Sequence, residues 1–138
     1  MYAININETK IFISPTDPNK DRPAKYHFSP LDNFVEAYID DRAISFQVDS
    51  SKPNEEVKVI EDYALRMLLR VKFAVNKIEN LLDLKTGQPI QFELEKVKIA
   101  GREYTALPDA VVAVIPNLKE LMIGIIKANQ LSEDEQKN

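Results

Sequence analysis

Apolar positions recur along this chain with two different periods, and the periods divide it into helices and strands. Over residues 55–83, Ile60, Tyr63, Ala64, Met67, Leu68, Val71, Val75, Ile78, Leu81 and Leu82 come at three- and four-residue steps. This spacing lines up one face of a 3.6-residue helix. It predicts a central helix about 40 Å long at roughly 1.5 Å per residue, which could bend or break near its middle. Leu65, Leu69 and Phe73 widen its apolar face, more than a helix resting on one sheet requires. Two packing partners are therefore expected: the sheet and the C-terminal helix, or a second copy of the protein in place of one of them. A further amphipathic helix is predicted after Pro116, with Leu118, Leu121, Met122, Ile125 and Ile126 as its stripe and Asn117, Lys119, Glu120 and Lys127 facing away. Helices in proteins are stabilised mainly by burying such a stripe. The stripe thus reads as core, and Ile123, which extends it sideways, as its contestable edge.

Two-residue alternation marks the strands. Tyr2, Ile4 and Ile6 alternate with polar or small residues and are followed by Ile11, Phe12 and Ile13, giving one or two short strands. Lys25–Phe28 alternates with Tyr26 and Phe28 on one face and His27 on the other. Ile44, Phe46 and Val48 predict a third strand with one buried face. Ile90, Phe92 and Leu94 share a phase that Val97 and Ile99 reverse, which predicts a bulge near Glu95 and Lys96. Gly101 then supplies the turn of a hairpin into Glu103, Tyr104 and Thr105.

Between these elements, residues 14–23 hold three prolines and read as a loop. Leu31, Phe34, Val35 and Tyr38 predict a short helix to about Asp41, capped by Ser29 or Asp32. Loops are expected at 49–54 and 86–89, a short apolar helix at 107–115, and Pro116 in the first turn of the last helix. Together these predict an α+β fold: a small antiparallel sheet packed against one long central helix and a C-terminal helix. A single domain is expected over 1–131, with a polar tail at 132–138.

Composition narrows the function. With 138 residues and 44% hydrophobic content the chain can bury a core without metal or disulfide support. A formal charge of −4 argues against broad attraction to phosphates. Lys58, Arg66, Arg70, Lys72 and Lys77 give the predicted central helix a basic flavour, but Glu55, Glu56, Glu61, Asp62 and Glu79 share it, so nucleic acid is not an expected partner. The absence of cysteine fits a reducing compartment. The first ten residues lack the pattern of a signal peptide. The longest apolar runs, 110–115 and 121–126, are far short of the roughly 20 residues that span a bilayer. A soluble protein without membrane association is expected.

The chemistry-bearing residues form no site-like spacing. His27 is the only histidine, so a multi-histidine metal site is excluded and any Ser-His-Asp triad would depend on it. Asp40 with Asp41, Glu55 with Glu56, Glu61 with Asp62, and Glu133 to Glu135 are adjacent carboxylates without the spacing of a calcium loop. Three glycines cannot build a phosphate cradle. No catalytic, cofactor-binding or metal-ligating residue is nominated, and no enzyme activity is expected. The candidates for function are instead the surplus apolar positions Leu65, Leu69, Phe73 and Ile123, as a protein-interaction surface.

Three segments carry a family resemblance: Lys25-Tyr-His-Phe-Ser-Pro-Leu31 opening into a helix, Leu82-Asp-Leu-Lys-Thr-Gly-Gln-Pro-Ile-Gln-Phe92 after the central helix, and Asn129-Gln-Leu-Ser-Glu-Asp-Glu-Gln-Lys-Asn138 closing the chain. In the order of its elements the chain resembles small virion morphogenesis proteins of tailed bacteriophages, including tail assembly chaperones. The resemblance implies a non-enzymatic protein without cofactor. It would bind other phage structural or assembly proteins, with self-association as an option, in the host cytoplasm or the virion. A small phage or mobile-element protein that binds and inhibits a host factor is the alternative.

Overall fold

The computed structural model describes residues 1–48, 51 and 57–137. Within them the chain forms, in order, β1 (Lys10–Ile13), β2 (Lys25–Phe28), α1 (Asn33–Ala43), β3 (Ile44–Val48), β4 (Val57–Glu61), α2 (Tyr63–Ala74), β5 (Val75–Glu79), β6 (Glu95–Ile99), β7 (Arg102–Ala106), α3 (Asp109–Val112) and α4 (Leu118–Lys137). This is an α+β fold. Its strands form three antiparallel groups, a sheet in the order β1-β2-β5 and two hairpins, β3-β4 and β6-β7.

The expected long central helix is not formed. Instead of one helix over 55–83, a 12-residue α2 is flanked directly by β4 and β5; Glu55 and Glu56 lie outside the described residues. At its start, the Asp62 carboxylate accepts a hydrogen bond from the Leu65 amide at 3.0 Å and caps the helix. At its end, the misleading signal is the three-residue step from Val75 to Ile78. In the pairing of β2 with β5, His27 faces Lys77 while Phe28 faces Val75, so Asn76 is an extra residue in the ladder. That bulge puts Val75 and Ile78 on one face of a strand at the spacing of a helix. Both pack into the main core.

α2 lies between two cores. The larger one gathers Tyr26 and Phe28 of the sheet, Val71 and Ala74 of α2, and Leu121 and Ile125 of α4. The smaller holds Val35 and Ile39 of α1 and Ile99 of β6, with Leu69 and Phe73 of α2 packed against it. The width of the α2 apolar face thus has an internal explanation. The same division accounts for the change of phase near residue 95. No bulge occurs there: β6 pairs regularly with β7 from Glu95↔Ala106 to Ile99↔Arg102. Ile90, Phe92 and Leu94 precede the strand and pack on the larger core, whereas Val97 packs beside Ile99 in the smaller. The chain changes cores, and the side chains change phase with it.

Other expectations meet the structure one by one. Asp32, not Ser29, caps α1, its Oδ1 accepting from the Val35 amide at 2.9 Å. The β6-β7 turn needs two left-handed residues, Ala100 at φ 51° as well as Gly101 at φ 76°. The alternating residues Tyr2, Ile4 and Ile6 form no strand and are exposed. Pro116 lies ahead of α4, separated from it by Asn117 at φ 52°. Residues from 132 to 137, predicted as a polar tail, continue the α4 helix. The face of β3 expected to be buried is exposed at Phe46 and Val48, with Ile44 half-buried.

Candidate protein-interaction surface

Antiparallel pairing decides what that exposed face consists of. β3 and β4 pair in the register Ile44↔Glu61, Phe46↔Val59 and Val48↔Val57. Directly opposed residues project to the same side of a ribbon, with close cross-strand contact. Phe46, Val48, Val57 and Val59 therefore form one continuous apolar face, and their exposures are 68%, 54%, 59% and 59%. The opposite side is mixed, carrying Ser45, Gln47, Lys58 and Ile60. Among the described residues β3 and β4 pair only with each other, leaving both outer edges of the ribbon open. A two-stranded ribbon alone in water is marginal at best, so its base must hold it or its face must be covered.

The base is held. Ala43 O accepts from the Asp62 amide at 2.7 Å, closing the ribbon where α1 ends and α2 begins. Arg66 of α2 reaches both sides of this junction, with Nη1 2.6 Å from Asp40 Oδ1 and Nε 2.5 Å from Glu61 Oε1. Burial works against its charge, but the two carboxylates outweigh burial and hold the guanidinium above its ordinary pKa. Arg70 adds a second tie between the helices, donating to Glu36 Oε2 at 2.9 Å. A fixed root carrying an uncovered apolar blade is an arrangement suited to protein contact, since contiguous exposed apolar surface marks interaction sites.

The residues nominated from sequence fall in different places. Leu69 and Phe73 are turned inward to the smaller core, where the Phe73 ring meets Tyr38 edge-on with centroids 5.5 Å apart. Leu65 is half-buried. Only Ile123 is an exposed apolar residue, at 43%, and Ile126 on the same helix joins it. A second apolar strip lies on the three-stranded sheet and the segment before it. β1 is an edge strand, its Ile11 and Ile13 project to the outer face of the sheet, and Tyr2, Ile4 and Ile6 precede it, all exposed. The hairpin face was the signal that sequence reasoning missed. Alternation in β3 and again in Val57 and Val59 shows that one face is apolar, but not what lies against it.

His27 sits on the outer face of the sheet with Nε2 2.7 Å from Glu79 Oε2. Its hydrogen bond, then the charges of Lys77 and Lys25, holds the Glu79 carboxyl below the usual range. This is a cross-strand pair on a solvated face. Among the described residues no three His, Asp or Glu side chains are grouped to hold a metal ion, and no helix is long and apolar enough to cross a membrane. No protein-family model, no characterised protein and no solved structure matches this chain.

Proposed function

We propose that this protein is a non-enzymatic binding protein that engages its partner through the apolar face of the β3-β4 hairpin. The observation that carries the reading is the alignment of Phe46, Val48, Val57 and Val59 on one side of a ribbon whose root is tied by Arg66. Burial of apolar surface stabilises association by about 25 cal/mol per Å² before the costs of binding. Covering this face would also relieve the marginal stability of a lone ribbon. An added strand from the partner could use either open edge.

Within that class, the resemblance to tailed-phage morphogenesis proteins favours a role as a tail assembly chaperone or minor virion component, in the host cytoplasm or the virion. The partner would then be another phage structural protein or a second copy of the chain. The test is affinity purification of the tagged protein from infected cells, with mass spectrometry of what accompanies it. Tail or head proteins are the expected companions. A single host enzyme recovered without virion proteins would overturn the morphogenesis reading in favour of host-factor inhibition.

A further inference from the structure

A cavity of about 280 Å³ opens between the β1-β2 loop, the chain after β5 and the start of α4. Its apolar wall includes Phe12, Leu81, Leu82, Pro116 and Leu121. Two carboxylates, Asp17 and Glu120, line it as well, and both are held in place. Asp17 accepts from the Asn19 amide through Oδ1 at 2.9 Å and from the Ala24 amide through Oδ2 at 2.8 Å. Those two bonds, the Ala24 one first, keep its carboxyl below the usual range. Glu120 accepts from the Ser14 hydroxyl at 2.7 Å and from the Thr16 hydroxyl at 2.9 Å, one on each oxygen. A carboxylate has about four acceptor positions, so each of the four oxygens keeps capacity for another donor.

The second observation is Tyr26. It lines the cavity and is only 4% exposed, yet its hydroxyl has no hydrogen-bond partner among the described residues. The hydroxyl oxygen is not itself fully enclosed, so it stays reachable from the cavity. Burial, then the charges of Asp17 and Glu120, push its pKa up to about 12, so it stays a neutral hydroxyl. Among the described residues no Lys or Arg side chain belongs to the cavity lining. Lys20 lies near Asp17, but its ammonium donates to Pro15 O at 2.7 Å.

We infer that this cavity binds an organic ammonium group carried on an apolar stem, the ammonium meeting Asp17 and Glu120 with Tyr26 and the stem lying on Phe12, Leu81 and Leu121. A bare metal ion suits the site poorly: much of its wall is hydrocarbon, and among the described residues no three His, Asp or Glu side chains are grouped to hold one. An anion meets two fixed negative charges, and a neutral chain gains nothing from them. The same chemistry is offered by a free alkylamine and by a lysine side chain of a polypeptide.

The test is an NMR titration of the full chain with n-hexylamine at neutral pH, alongside hexan-1-ol, hexanoate and Nα-acetyl-lysine methylamide. Hexylammonium should give saturable shifts at Thr16, Asn19, Ala24, Asn80 and Asn117, with hexanol about tenfold weaker and hexanoate without effect. Shifts with the lysine derivative at the same residues point to a polypeptide source; shifts with hexylamine alone point to a free amine. Glu120→Gln keeps an acceptor for Ser14 or Thr16 and removes one charge, and should weaken hexylammonium about tenfold, while Tyr26→Phe should weaken it several-fold. Equal binding of hexanol and hexylamine, no saturable shift with either amine, or unchanged affinity in a folded Glu120→Gln variant would each overturn the assignment.

Discussion

Gly124 on α4 faces the ring of Phe12 on β1 so closely that no β-carbon fits between them. The contact seats the last helix on the edge strand, and Lys10 reinforces the seam by donating to Ala128 O at 2.6 Å. Glycine in a helix is disfavoured against alanine by about 1 kcal/mol. Its presence here is explained by approach, not by flexibility.

Gly124→Ala should therefore destabilise the protein despite the better helix former, by about 1–2 kcal/mol, because the ring of Phe12 must leave its place. Combined with Phe12→Leu, the same substitution should cost less than it does alone. Urea denaturation of the two singles and the double gives the coupling directly. Additive effects would show that the two side chains do not meet.

Arg66 is the tie at the root of the hairpin, and Arg66→Gln should loosen that root more than the rest of the fold. Hydrogen bonds to charged groups contribute roughly 1.5–3 kcal/mol, less where the partner is exposed as Asp40 is. Amide exchange in β3 and β4 should speed up by more than exchange in β2 and β5. Uniform acceleration across both sheets would indicate that Arg66 supports the whole fold rather than the blade.

Tyrosine ionisation should weaken the fold at alkaline pH. The folded pKa of Tyr26 is raised from 10.0 to about 12, and Tyr104 shifts the same way through burial and its hydrogen bond to Asp32. Between these values the unfolded chain has released a proton that the native state still holds. The native state then binds more protons, so stability is fully present below pH 10 and is lost as pH rises towards 12. Tyr26→Phe should flatten part of this fall in urea midpoints measured at increasing pH. Near neutral pH it should cost little, because the hydroxyl it removes has no partner in the free protein. A large loss at neutral pH would reveal a bond that the fold as described does not contain.

How much of this was legible in the sequence depends on whether the informative contact was local. The α1 cap, narrowed to Ser29 or Asp32, the alternation of Tyr26 and Phe28, and the core stripe of Leu121, Met122 and Ile125 are set within a few residues, and the pattern reports them. The central helix misled because a bulge at Asn76 gives a strand the spacing of a helix. Leu69 and Phe73 looked like surplus because nothing in a single helix reveals that α1 and the β6-β7 hairpin lie along its other flank. Phe46 and Val59 each belong to an ordinary alternating run, and only the pairing of the two runs makes a face. Asp17 and Glu120 share a cavity only because β1 and α4 pack together.

The most direct test of the central reading is quantitative co-purification with the double variant Phe46→Ser, Val59→Thr against the unaltered protein. Both side chains are exposed, so the melting temperature should change little. Removing two apolar anchors from an interface should lower recovery of the bound proteins by about tenfold or more. That loss, in a variant that remains folded, is the predicted result. Undiminished recovery of the same partners would place their binding elsewhere on the molecule and contradict the assignment of the hairpin as the interaction surface.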